Sequence, residues 1–228
     1  MRREEIAAKI DHTLLRPAAT RDDVEKHCRE AVEHGFRAVC LLPIHLRQAS
    51  EILSGTEVII SGVVSFPLGG ATLLGKVFEG LEAERLGASE LDIVLNLSAI
   101  ASGSRATIEE EVRTLMARVP ECRHKMIVET GLFDRATLEP VLRIMNQRRP
   151  AFVKTSTGVN APGATPEAVS QLRSILHRSI GIKAAGGVRT LAQAEALLAA
   201  GADLIGTSAG CGILDEAAPS PPPASESA

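Results

Sequence analysis

The chain has 228 residues, room for one large domain or two small ones at roughly 150 residues per domain. Its 45% hydrophobic and 23% charged residues allow a sizeable core and exclude disorder of the whole chain, while a net charge of −3 argues against nucleic acid as a partner, because phosphate neutralisation needs a basic surplus. Aromatic residues are 2%, all five of them Phe, so base-stacking platforms, carbohydrate-stacking clefts and tyrosine acid/base chemistry are largely excluded.

The opening MRREEIAAKIDH has no apolar stretch that could serve as a signal sequence. It predicts a short helix running into a weak first strand, Lys9 to His12. Thr20 with Asp23 fits a capping box, and Gly35 is placed where a left-handed helix stop belongs. The same unit of amphipathic helix, glycine stop and short apolar run recurs at Gly87 and Gly201. Six further strands are predicted at Phe36 to Leu42, Glu57 to Ser65, Glu90 to Leu95, Lys125 to Thr130, Ala151 to Thr155 and Gly181 to Ala185, with an eighth and last at Asp203 to Thr207. Val58 to Gly75 carries no charge, but Gly62, Pro67, Gly69 and Gly70 break it up, so a strand entering a glycine loop is expected there rather than a membrane span. Thr107 with Glu110 and Thr190 with Gln193 mark two more helix starts, and Thr165-Pro166 a third.

These runs are continuously apolar rather than alternating, the mark of parallel strands covered on both faces. Strands spaced by helices form right-handed βαβ units, and eight of them close a (β/α)8 TIM barrel in one domain, residues 1–216. A doubly wound open sheet is the alternative. The barrel is preferred because polar residues end nearly every strand, whereas an open sheet gathers its site at one switch point. Residues 217–228, rich in Pro, Ser and Ala, are expected to be a disordered tail.

Lys154 in FVKTSTG and Lys183 in IKAAGGVRT lie inside apolar strands, where a charge is costly without a partner or a task. Snorkelling to solvent would accommodate one such lysine more readily than two on neighbouring strands. The chemistry that wants the pair is Schiff-base catalysis. A free lysine, with a pKa near 10.4, is neutral for only about one part in a few thousand at pH 7, and burial beside a second ammonium raises that reactive fraction. Asp92, in the apolar ELDIVLN, would serve as an ion-pair partner or as the group that accepts and returns a proton. Asp11 and Glu129 are further inward carboxylates that would neutralise lysine charge. Cys28, Cys40, Cys122 and Cys211 lack C-x-x-C spacing and read as reduced thiols of a cytoplasmic protein.

Three glycine-bearing turns follow the last strands: STG at Ser156 to Gly158, AGG at Ala185 to Gly187, and GTSAG at Gly206 to Gly210. Gly158, Gly186, Gly187, Gly206 and Ser208 are therefore candidates to hold a phosphate. GTSAG also matches a nucleophile elbow, but no histidine follows Ser208, so a hydrolase fails on order. The six histidines form no H-E-x-x-H or H-x-H grouping, and neither a metal nor a cofactor is expected for catalysis.

From about Ile10 to Gly210 the motifs IDHTLL, AVCLLP, SFPLG with KVFE, ELDIVLN, FVKTSTG, IKAAGGVRT and IGTSAG occur in an order that resembles the deoxyribose-phosphate aldolase family. The resemblance implies a (β/α)8 barrel and reversible cleavage of 2-deoxy-D-ribose 5-phosphate to glyceraldehyde 3-phosphate and acetaldehyde. It implies Lys154 as the Schiff-base lysine, Lys183 as the lysine that perturbs it, Asp92 as the proton donor and acceptor, Cys40 as a cysteine near the site, and Gly158, Gly186, Gly187 and Ser208 in the phosphate turns. The chain lacks the C-terminal tyrosine of some relatives, and has Ala209 and Val159 where relatives often carry a serine and a lysine or aromatic residue. Another phosphate-binding barrel enzyme, such as a sugar-phosphate isomerase, or a non-catalytic sugar-phosphate-binding barrel are the alternatives. The partners expected are sugar phosphates and aldehydes, with no nucleic acid or membrane and a homodimer as the assembly.

Overall fold

The computed structural model describes residues 1–217. Within them eight parallel strands close into a barrel in sequence order: β1 (Ile10–Leu14), β2 (Ala38–Leu41), β3 (Ile59–Val64), β4 (Glu90–Val94), β5 (Arg123–Ile127), β6 (Phe152–Lys154), β7 (Gly181–Ala185) and β8 (Leu204–Thr207). The pairing of Asp11 on β1 with Gly206 on β8 shuts the ring and excludes the open sheet. Helices wrap the outside: α1 (Arg3–Ala7), α2 (Arg21–His34), α3 (Leu46–Ile52), α4 (Leu73–Arg85), α5 (Leu97–Ala101), α6 (Arg105–Arg118), α7 (Arg135–Arg148), α8 (Pro166–Ile175), α9 (Leu191–Ala199) and α10 (Gly210–Glu216).

Local chemistry sets most boundaries. Thr20 and Thr190 accept from the backbone N–H groups of Asp23 and Gln193 in full capping boxes, and Thr165 caps α8 with Pro166 in its first turn. Gly35 ends α2 at φ +68°, a conformation costly for a residue with a Cβ. The expected box at Thr107 and Glu110 does not form. The helix there starts earlier, with Ser104 in the N-cap position and Thr107 in the first turn, where its hydroxyl meets that of Ser104 at 2.8 Å. Most strands are shorter than the apolar runs that signal them, because the residues at each run's ends belong to loops; β5 instead begins two residues early, at Arg123.

Alternation along β4 shows how the barrel is filled. Leu91 and Ile93 pack outward in the hydrophobic layer beneath the helices, while Glu90 and Asp92 point to the barrel axis. The axis holds an ionic network where branched aliphatic side chains are usual. At the end of α10, Ala217 is buried and Glu216 Oε2 accepts from the Leu191 N–H at 2.8 Å. The rest of the expected tail, residues 218–228, lies outside the described residues.

Candidate active site

Beyond the C-terminal ends of the strands lies a cleft of about 540 Å³, lined by Phe66, Lys154, Gly158, Gly186, Gly187 and Ser208 among others. At its base Lys154 ends β6, and register sets Lys183 of β7 beside it and Lys125 of β5 beside Asp92. Asp92 is fully buried and joins the three lysines. Its Oδ2 accepts from Lys154 Nζ at 2.7 Å and Lys183 Nζ at 2.8 Å, and its Oδ1 accepts from Lys125 Nζ at 2.8 Å and the Ser61 hydroxyl at 3.1 Å. Because Lys154 and Lys183 share one oxygen, their nitrogens lie within about two hydrogen-bond lengths of each other.

A second layer sits beneath. Lys183 Nζ also contacts Asp11 Oδ2 at 2.6 Å, Lys125 meets Glu90 at 2.8 Å, and Arg37 bonds both Asp11 and Glu90. Asp11 therefore neutralises lysine charge as expected. The network sets five basic side chains, Arg37, Arg123, Lys125, Lys154 and Lys183, against three carboxylates, Asp11, Glu90 and Asp92, so it keeps a positive excess even when Lys154 is neutral.

Burial would push the Asp92 carboxyl up, but Lys125, Lys154 and Lys183 outweigh it and hold the group well below the usual carboxylate range. Asp11 is lowered likewise, by Lys183, Lys125 and Arg37 against its burial. Burial works to lower Lys183, yet Asp11 and Asp92 outweigh it and raise the pKa above that of a free lysine. Lys183 thus stays an ammonium ion, the charge state required of a lysine that acts on its neighbour. Snorkelling does not occur: Lys183 is fully buried, and Lys154 is 2% exposed. Cys40 donates a weak bond to Asp92 Oδ2 at 3.7 Å, and burial followed by the Asp92 charge raises its pKa, so it stays a thiol.

Glu129 does something else. At φ +53° just past β5, its carboxylate accepts from the Thr157 N–H at 3.1 Å and from Asn160 Nδ2 at 3.1 Å, and the same Asn160 nitrogen reaches the Pro67 carbonyl at 2.7 Å. Its bonds pin the loop after β6 to the end of β5, and Asn160 carries the link on to the loop after β3; no bond from Glu129 to a lysine is seen among the described residues.

The glycine turns differ among themselves. Gly158, Gly186 and Gly187 adopt φ of +78°, +94° and +76°, and Gly163 packs so closely that a Cβ there would fall 1.9 Å from the Gly186 carbonyl oxygen. Gly206 is in β8 rather than in a turn; a Cβ there would lie 2.9 Å from Lys183 Cε, so its bareness makes room for that lysine's stem. Thr207 donates to the Val188 carbonyl at 2.6 Å, which ties the β8 turn to the β7 turn and brings exposed Ser208 to the cleft lip near Gly187.

The chain is 41% identical over 214 residues to deoxyribose-phosphate aldolase of Thermoanaerobacter sp. (strain X514), covering 92% of this chain and 96% of that protein. It is 43% identical over 217 residues to the enzyme of the same name from Methanothermobacter thermautotrophicus, covering 93% and 95%. This chain belongs to the deoxyribose-phosphate aldolase family. Among solved structures, the tetrameric deoxyribose phosphate aldolase of Aeropyrum pernix superposes with a TM-score of 0.84 at 35% identity, covering 93% of this chain and 90% of that one. No protein-family model matches the chain.

In this deoxyribose-phosphate aldolase family barrel, sequence patterning brought out Asp92, Lys154 and Lys183, which the structure joins, but passed over Lys125 and Ser61. Lys125 starts a predicted strand, where a lysine ordinarily reaches solvent; here the strand begins two residues earlier and the side chain is fully buried. The available signal was its register opposite Asp92, which only the pairing of β4 with β5 supplies.

Proposed function

We propose that the chain cleaves 2-deoxy-D-ribose 5-phosphate reversibly to glyceraldehyde 3-phosphate and acetaldehyde through an imine on Lys154. The observation that carries this is that, of the three lysines on Asp92, Lys154 alone lines the cleft, while Lys125 and Lys183 are fully buried. Neutral Lys154 adds to C1 of the open-chain sugar, and loss of water leaves the imine. The C3 hydroxyl then loses its proton, the C2–C3 bond breaks with its electrons drawn towards the imine nitrogen, and glyceraldehyde 3-phosphate leaves. The enamine takes a proton at C2, and water releases acetaldehyde and regenerates the amine.

Asp92 is anionic in the resting site, so the protons are stored on the ammonium groups it holds, and it relays them between Lys183 and the reacting centre. The positive excess at the cleft base stabilises the alkoxide that develops at C3. Phosphate is assigned to the turns at Gly158, Gly186 and Gly187, with Ser208 at the lip and Gly206 serving the site by clearing space for Lys183.

Incubation with acetaldehyde and borohydride, followed by mass spectrometry, tests the assignment. One reduced adduct on Lys154 is expected, absent in Lys154→Ala together with turnover of deoxyribose 5-phosphate. An adduct that persists in the variant on another lysine overturns it. An isomerase using the lysines as electrostatic clamps, or a non-catalytic barrel, would give no adduct.

A homodimer is the proposed assembly, supported by Leu74 and Phe78, each 62% exposed and one turn apart on α4; a monomeric mass by light scattering would contradict it. No helix among the described residues is long and apolar enough to cross a membrane. Four free cysteines support a reducing compartment, the cytoplasm.

A further inference from the structure

On one flank of the cleft, three potential ligands from three elements converge: His12 of β1, Glu30 of α2 and Cys211 of α10. Their donor atoms all lie within 4.8 Å of one another, and His12 Nε2 is 3.1 Å from Glu30 Oε2. Zinc bonds of about 2.0–2.3 Å place ligand atoms roughly 3–4 Å apart, so modest side-chain shifts would close the set on an ion. Those shifts are available where they are needed. His12 is buried and fixed, whereas Glu30 and Cys211 are partly exposed and leave an entry path.

The histidines are in the form that ligates, whereas burial, Glu30 and Asp215 raise the Cys211 thiol, so its proton must be displaced by the ion itself. Burial, with a small contribution from His34, lowers the His12 pKa to about 4, so the ring is neutral, the form that ligates. It stacks on His27 at 3.7 Å with 11° between planes, and burial lowers His27 to about 3, so no cation opposes an incoming ion from that side. His12 Nδ1 is buried without a hydrogen-bond partner among the described residues, so only Glu30 sets the ring's tautomer. Glu30 otherwise meets Lys26 at 3.8 Å, a loose exposed pair.

We propose that His12 Nε2, the Glu30 carboxylate and Cys211 Sγ form a site for a zinc-class divalent cation, the fourth position being open to water. Mixed sulfur, nitrogen and oxygen donors suit zinc or cobalt rather than magnesium or calcium, which take oxygen ligands. Binding removes the Cys211 thiol proton to buffer and moves the imidazole proton from Nε2 to Nδ1. The imine chemistry needs no such ion. His12 and Glu30 line the cleft and Cys211 follows Ser208 by three residues, so a bound ion would clamp the start of α10 against α2 and slow turnover. That last effect rests on the aldolase function proposed above; the site itself does not.

The test is titration of the purified full chain, freed of metal, with zinc by calorimetry and with cobalt by absorption. One equivalent per chain is expected, with a near-ultraviolet thiolate-to-cobalt band. Cys211→Ser should lose the band and bind zinc at least roughly tenfold more weakly, since even outer partners of metal ligands cost 10–100-fold. Glu30→Gln should weaken binding while keeping the band. Cys211 is outside the catalytic cleft, so the serine variant should keep basal turnover and lose inhibition by zinc, which chelation reverses in the wild type. No saturable binding at micromolar zinc, or a band that survives in Cys211→Ser, overturns the site. Binding without inhibition keeps the site and refutes the clamp, and the cobalt result decides the site even if aldolase turnover is absent.

Discussion

Replacing Asp92 with Asn keeps the shape of the side chain and removes the charge on which three buried ammonium groups converge. Asp92 accepts from Lys125, Lys154 and Lys183 at 2.7–2.8 Å with no solvent to take its place. Removing one partner of a buried ion pair costs about 3–5 kcal/mol, because the remaining charge is left uncompensated. For a chain of this size 1 kcal/mol moves Tm by about 2–4 °C, so Asp92→Asn should melt about 6–20 °C lower at pH 7 and lose turnover.

The pH dependence separates charge from packing. In the wild type Lys183 is raised, so its contribution is fully present below the unfolded-state pKa and is lost as pH rises through the folded one. In the variant Lys125 loses its largest counter-charge and Lys183 its second after Asp11, so burial pulls both pKa values down relative to the wild type. The folded variant then binds fewer protons than the folded wild type, so it gains stability relative to the wild type as pH rises from about 8 to 10. Calorimetric scans of both proteins across that range should therefore show the Tm gap narrowing. A gap that is constant with pH, or smaller than about 2 °C at pH 7, would refute an ionic network centred on Asp92.

Ser208→Ala should weaken deoxyribose 5-phosphate by about one hydrogen bond to a charged group, roughly 1.5–3 kcal/mol in kcat/KM, and leave unphosphorylated deoxyribose unaffected; equal loss on both sugars would remove Ser208 from phosphate binding. Deleting residues 218–228 should leave Tm within about 1 °C and turnover intact, since Pro, Ser and Ala offer little to bury. A truncation that also removes Ala217 and Glu216 should lower Tm, because it opens the core at Ala217 and strips the Leu191 N–H of its acceptor.

What the amino-acid order determined alone is local or periodic. Thr20 and Thr190 cap helices through side chains three residues away, and Gly35 adopts a backbone angle costly for other residues, so these signals need no distant partner. Lys154, Lys183 and Asp92 stood out because a charge in an apolar run is anomalous wherever the run folds. Ser104 took the cap position expected at Thr107, though its side chain makes no cap hydrogen bond, because hydroxyl residues within one turn of each other carry the same local signal.

The partners of those charges were decided by closure of the barrel. Lys125 looks like an ordinary strand-end lysine until β5 is placed beside β4, and Asp11 meets Lys183 across 172 positions of sequence only because β8 returns to β1. Gly206 reads as a turn glycine, and only the stem of Lys183 next to it explains why it has no side chain. The physical reason is common to all three. Periodicity states which face of a strand a residue occupies, but strand register fixes which side chains share the low-dielectric axis, and there the choice of partner sets each group's charge.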